Sequence, residues 1–143
     1  MADIESAKDS TTGRPYGDGD TSFLTAGGEA GIRKLVDKFY DVMETLEQAQ
    51  VIRAMHPDDI TVSRDKLARF LCGWLGGPKL FSEKYGRIQI PKAHHHLDIG
   101  VDERDAWLKC MEIALADQAY PQSFKDYMLR ELFRPADRSR TRN

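Results

Sequence analysis

At 143 residues the chain is long enough for one folded domain with a single core, and too short for two. Charged residues make up 31%, the formal net charge is −2 and the pI is near 6.1, a balance that gives no basis for nucleic acid or an anionic membrane as partner. No segment approaches the ~20 apolar residues of a membrane span, and the N-terminus lacks the apolar run of a signal peptide. A soluble, cytoplasmic protein is expected. Cys72 and Cys110 fall on predicted helices and read as small buried hydrophobes, which fits a reducing compartment.

Met1 to about Thr21 is polar, with almost nothing to bury, and is expected to be a flexible extension. The folded body is expected over residues 22–134. Within it the apolar period is helical throughout. Gly27-Gly28 breaks the chain, and then Ile32, Leu35, Val36, Phe39, Tyr40 and Met43 recur at i, i+3, i+4, i+7, i+8 and i+11. Val51, Ile52 and Met55 predict a short helix ending at His56-Pro57. Ser63, Leu67, Phe70, Leu71, Trp74 and Leu75 form a second full stripe, closed by Gly76-Gly77-Pro78.

Pro78 to Lys92 has no sustained period and is expected to be an irregular loop, although Pro91 is placed to start a short helix carrying the histidines. From about Asp102 to Asp117, Trp107, Leu108, Met111, Ala114 and Leu115 share one face. Pro121 then opens a last helix with Phe124, Tyr127, Met128 and Leu132 inward, which Pro135 is expected to stop. Residues 135–143 are expected to be a flexible tail. No hairpin dipeptide separates alternating strands, so the fold class is all-α.

The most informative stretch is His94-His95-His96, because only His56 lies outside it. An imidazole just ahead of a helix carrying Trp107 and Met111 sets a donor nitrogen beside a broad apolar wall. A large flat apolar cofactor with a metal at its centre needs that combination. Taken alone, a histidine triplet also reads as a solvated loop.

Gly27-Gly28, Phe39-Tyr40, Phe70-Leu71 with Trp74 to Pro78, and a histidine nine residues ahead of Glu103-Arg104-Asp105-Ala106-Trp107-Leu108 together resemble the truncated haemoglobins. The resemblance is to their second group, whose hallmark is the Trp107 position, and it spans about Phe23 to Leu132. It implies a two-over-two helical sandwich around haem b, with the proximal helix reduced mostly to a loop.

Under that resemblance the proximal iron ligand falls on His94, with His95 the next candidate because a loop slips easily by one residue. The ligating imidazole needs its other N–H anchored by a backbone carbonyl. Tyr40 and Trp107 fall at distal positions whose hydroxyl and indole N–H point at a ligand. Each reads equally well, without the family, as a core aromatic. His56 stands where the family usually has an aromatic. It either faces solvent in a His-Pro turn or adds a third polar group that hydrogen-bonds ligand, relays a proton or binds iron. Ser63 and Leu67 line the distal pocket, Ser63 as a weak barrier to ligand access. Phe70, Leu71, Leu97, Ile99 and Met111 are haem contacts or ordinary core. Lys66, Arg87 and Lys92 are candidates for the propionates, whereas Phe81 replaces a tyrosine expected there.

Two donors aimed at a partly negative dioxygen, at ~1.5–3 kcal/mol each, slow its release by roughly 10² or more. Such a protein makes a poor oxygen transporter. Tight oxygen binding with redox or nitric oxide chemistry follows, supported by a reductase, in a monomer or homodimer that also binds carbon monoxide. Two other readings stay open. One is a haem peroxidase or nitric-oxide-detoxifying enzyme in which His56 and Tyr40 supply acid–base chemistry. The other is a helical metal-binding or interaction module whose histidines capture zinc or nickel without porphyrin. A sensor is disfavoured, as no output domain is attached.

Overall fold

The computed structural model describes residues 8, 9 and 13–143. Helix α1 (Thr21–Thr25) leads into α2 (Gly28–Thr45), which starts where Gly27 takes the left-handed conformation with φ of 92°. A residue bearing Cβ is strained there, so a glycine marks the corner. All six residues of the expected α2 stripe are buried. A 3₁₀ turn over Glu47–Ala49 and the short α3 (Gln50–Ala54) carry the chain to His56. Helix α4 (Thr61–Trp74) then ends at Gly76, also left-handed at φ 92°. A Cβ at Gly76 would collide with the carbonyl of Gly19, so this glycine serves close approach as well as turning.

Two short helices, α5 (Leu80–Tyr85) and α6 (Ile90–His94), precede the long α7 (Val101–Ala116) and α8 (Gln122–Arg138). The Glu103 carboxylate accepts the Gly100 N–H at 2.7 Å, satisfying one of the backbone groups that a helix start leaves open. Helix α2 packs on both α4 and α7, and α7 packs on α8. The four long helices thus form a two-over-two sandwich, with Phe39, Leu35, Leu71, Met111, Phe124 and Met128 fully buried between them. No strand occurs among the described residues. Among the described residues no helix is long and apolar enough to cross a membrane.

Three expectations are corrected. The segment 78–92 is not wholly irregular, because α5 forms within it. Leu80 packs on the core, and the Phe81 and Tyr85 rings sit 5.2 Å apart at i, i+4. Six residues are too few for a helical period to declare itself. Pro135 does not stop α8, which runs on to Arg138. A proline this near the C-terminus forfeits one backbone hydrogen bond, and the continuing turn buries Ala136 and brings Asp137 to Arg104 at 2.8 Å. Residues 139–143 are likewise no loose tail. The Thr141 N–H donates to the Ile99 carbonyl at 2.8 Å, and Arg142 pairs with Asp98 and Glu103.

The expected N-terminal extension is also partly packed. Tyr16 is buried against Phe124 and Tyr127, with centroids 5.2 and 5.1 Å away, and its hydroxyl is 2.8 Å from the Ser123 hydroxyl. One aromatic with a polar tip is enough to hold an otherwise polar segment down. Residues 1–7 and 10–12 of that extension lie outside the described residues.

Candidate haem and ligand site

Helix α6 carries the first histidine of the triplet. Pro91 lies in its first turn, where a fixed φ favours the helix and the missing N–H costs nothing. His94 is the last residue, half-buried, and its Nδ1–H donates to the Ile90 carbonyl at 2.7 Å, one turn back. That commits the Nδ1 proton and leaves Nε2 with a free lone pair. His95 and His96 are exposed, and His95 Nδ1–H is held by the Lys92 carbonyl at 2.5 Å. Of the triplet, His94 alone is partly enclosed. Leu97 is half-buried and Ile99 buried just beyond it.

Tyr40 from α2, Trp107 from α7 and His56 after α3 cluster around Phe39 and one another. Tyr40 is 4% exposed, and its hydroxyl donates to the Ser63 carbonyl at 3.4 Å, a long and weak bond. Burial pushes its ionisation well above the ordinary phenol range, partly countered by the Arg64 guanidinium 5.6 Å from the ring centre. The phenol is therefore a proton donor at any ordinary pH. Phe39 meets Tyr40 edge-on at 5.0 Å and Trp107 at 5.0 Å, and so spaces the two polar aromatics. Among the described residues the Trp107 indole N–H meets no acceptor within hydrogen-bond reach.

His56 stands 5.7 Å from the Tyr40 ring at 80°. Its Nδ1–H donates to the Ile52 carbonyl at 2.8 Å. Burial lowers its pKa below the ordinary histidine value, the Ile52 hydrogen bond opposes this, and repulsion from Arg53 and from His94 lowers it further. His56 and His94 are thus close enough for their charges to interact. Neutral at pH 7, His56 has a lone pair rather than a proton on Nε2.

The apolar wall comes from α4, where Leu67 and Phe70 are half-buried on the same face as the half-buried Ser63. Leu71 and Met111 are fully enclosed by protein and back this wall from behind. Lys66, Arg87 and Lys92 are all exposed. The Lys66 ammonium lies 5.3 Å from the centre of the Tyr85 ring. Arg87 and Lys92 have no carboxylate partner among the described residues. Tyr85 does not replace the tyrosine missing at Phe81, because its hydroxyl donates to Asp65 at 2.7 Å.

Two features near the site escaped the sequence reading. Arg64 lies over Tyr40 while it pairs with Asp37 and Asp41 at 3.1 and 3.2 Å. Asp65 collects Arg33, Arg69, Lys84 and Tyr85, and so ties α2, α4 and α5 together. Only the Asp65–Arg69 pair, at i, i+4 on one helix, had a visible spacing.

The donor set fits a haem. One imidazole is fixed through Nδ1 with Nε2 spare, Leu67 and Phe70 leave half-buried apolar faces on α4, and the Phe39 ring links a weakly bonded phenol to an indole that makes no hydrogen bond to the described residues. By contrast, no group of three or more His, Cys, Asp or Glu among the described residues is arranged to hold a bare metal ion.

Comparison with known proteins agrees. Residues 21–140 match the family described as bacterial-like globin, a span that runs past Arg134 into the packed tail. The chain is similar to a group 2 truncated hemoglobin of Bacillus subtilis, with 30% identity over 105 residues that cover 73% of this chain and 77% of that protein. A cold-adapted truncated hemoglobin from the Antarctic marine bacterium Pseudoalteromonas haloplanktis TAC125 superposes with a TM-score of 0.81 at 32% identity, over 85% of this chain and 98% of the other. The group II 2-on-2 hemoglobin of Agrobacterium tumefaciens gives 0.80 at 32% identity, over 85% and 95%. The chain belongs to the bacterial-like globins, and within them to the group II truncated haemoglobins, a family of haem proteins that bind diatomic ligands.

Proposed function

We propose that the chain holds haem b with His94 as the proximal iron ligand, and that Tyr40 and Trp107 hold dioxygen tightly on the opposite side. The observation that carries this is the pairing of a spare His94 Nε2 with two distal donors that the protein leaves unsatisfied or weakly satisfied. Bound there, haem supplies an iron that accepts one protein nitrogen and one diatomic ligand: dioxygen, nitric oxide or carbon monoxide.

The Ile90 carbonyl orients the His94 ring and fixes its tautomer, which leaves Nε2 for the iron. Tyr40 exchanges its long bond to Ser63 for a shorter one to ligand, so little is lost on the protein side. Trp107 gains an acceptor where it had none. Together these donors favour a ligand with negative charge over a neutral one. Lys66, Arg87 and Lys92 supply cations for the propionates at the rim, and Leu67, Phe70, Leu97 and Ile99 exclude water from the faces. The same pocket would admit nitric oxide, and the redox chemistry that a bound haem would supply there would draw its electrons from a reductase.

One observation favours a second reading, peroxide reduction. Its Nδ1 proton committed to Ile52, neutral His56 accepts a proton at Nε2, as a general base must. In the ferric protein without added ligand the same lone pair would let His56 serve as an internal ligand, with Tyr40 the alternative.

The test is an absorption and resonance Raman spectrum of purified protein reconstituted with hemin, repeated on His94→Gly with added imidazole. A haem spectrum lost in the variant and restored by imidazole is expected. Hemin held unchanged in His94→Gly overturns the assignment.

A further inference from the structure

The stretch between His94 and α7 has no regular structure of its own, yet several of its backbone groups are engaged. The Leu97 N–H donates to the His94 carbonyl at 2.9 Å. Others are met by residues 141 and 142, distant in the chain. The Thr141 hydroxyl donates to the Leu97 carbonyl at 2.6 Å and accepts the Ile99 N–H at 2.8 Å. The Thr141 and Arg142 N–H groups both donate to the Ile99 carbonyl, at 2.8 and 3.1 Å. Arg142 also reaches Asp98 and Glu103 at 2.6 Å each, and that Glu103 oxygen holds the Gly100 N–H at the start of α7. The Arg142 guanidinium lies where a side chain at position 100 would project, so a larger residue there would have to displace it.

A loop whose backbone groups bond only to water opens readily, whereas one bonded on both sides moves with its partners. We propose that Thr141 and Arg142 are positioning residues for the proximal imidazole. Residues 139–143 act as a strap that fixes Leu97–Gly100 and, through the Leu97–His94 bond, the end of α6. Asp137 anchors the strap, since it pairs with Arg104 of α7 at 2.8 Å and with Arg140 at 2.7 Å. This rests on the reading of His94 as iron ligand. It assigns the C-terminal residues a part in how firmly haem is held.

The hydroxyl of Thr141 is the centre of the device, and it has a conservative control. Thr141→Ser keeps both hydrogen bonds, whereas Thr141→Val keeps the shape and loses them. The experiment compares wild type, Thr141→Ser, Thr141→Val and a chain ending at Arg140, each loaded with hemin. Three quantities are measured: hemin transfer to excess apomyoglobin, the iron–histidine stretching band of the ferrous protein, and amide exchange at Ile99.

Expected are hemin loss about tenfold faster in Thr141→Val, as loss of one or two hydrogen bonds implies, and more in the shortened chain. The iron–histidine band should shift or broaden, Ile99 exchange should accelerate, and Thr141→Ser should match wild type. Two results overturn the proposal: unchanged hemin loss and band in both the valine and shortened forms, or faster Ile99 exchange with the band unmoved. Failure of the His94 reading shows separately, as retention of hemin in His94→Gly. If the shortened chain does not fold, the valine and serine pair decides alone.

Discussion

The His56 imidazole stands almost perpendicular to the Tyr40 ring, 5.7 Å between centres, with its only ring proton directed at the Ile52 carbonyl. The fold therefore sets a half-buried, neutral base against a phenol whose ionisation is disfavoured by burial.

That arrangement has a pH signature. A histidine whose folded pKa is lowered stabilises the fold fully above its ordinary value of about 6.5, and the contribution is lost as pH falls through the lowered folded value. Denaturation followed between pH 8 and 5 should show stability falling over the acidic part of this range. His56→Phe should flatten the dependence, and a variant that tracks wild type would contradict the assigned burial.

The distal donors should act on release more than on capture. Tyr40→Phe and Trp107→Phe are each expected to speed dioxygen dissociation about tenfold or more, the equivalent of one hydrogen bond to a charged group. Carbon monoxide, which carries little charge, should respond much less. Stopped-flow displacement of both gases checks the difference.

Phe39 is fully buried and touches both Tyr40 and Trp107. Phe39→Ala should cost about 3–5 kcal/mol in denaturant unfolding, through lost contacts and the cavity left behind. It should also blunt the selectivity for dioxygen over carbon monoxide, because the two donors lose their spacer.

Asp65 is the hub of a four-partner network. The Tyr85 hydroxyl, with Lys84, Arg33 and Arg69, holds its carboxyl well below the usual carboxylate range, against a cost of desolvation. Its contribution is complete above the ordinary value of 3.8 and is lost as pH falls through the lower folded value. Asp65→Asn should destabilise the protein by about 1–3 kcal/mol at pH 7 and make acid unfolding less steep. Urea titrations at pH 7 and pH 3 measure both effects.

Much of this architecture was legible from the residues. A stripe such as Ile32 to Met43 needs only the helical repeat and an apolar partner, and its buried face is the one that the period marks. The Gly27 and Gly76 corners were equally plain, because left-handed backbone demands glycine. Pro91 in the first turn of α6 was equally legible as a helix start.

Which imidazole is partly enclosed, and which proton it commits, came from the packing around α6 and the His94 hydrogen bond to the Ile90 carbonyl. The helix through Pro135, the seat of Tyr16 and the clasp of Thr141 on Ile99 were decided by contacts between segments far apart in the chain. Local propensity is an energy of one residue and its near neighbours, and it is readable from a string of letters. A polar tail becomes ordered when distant backbone groups need partners, and that need exists only once the helices have packed.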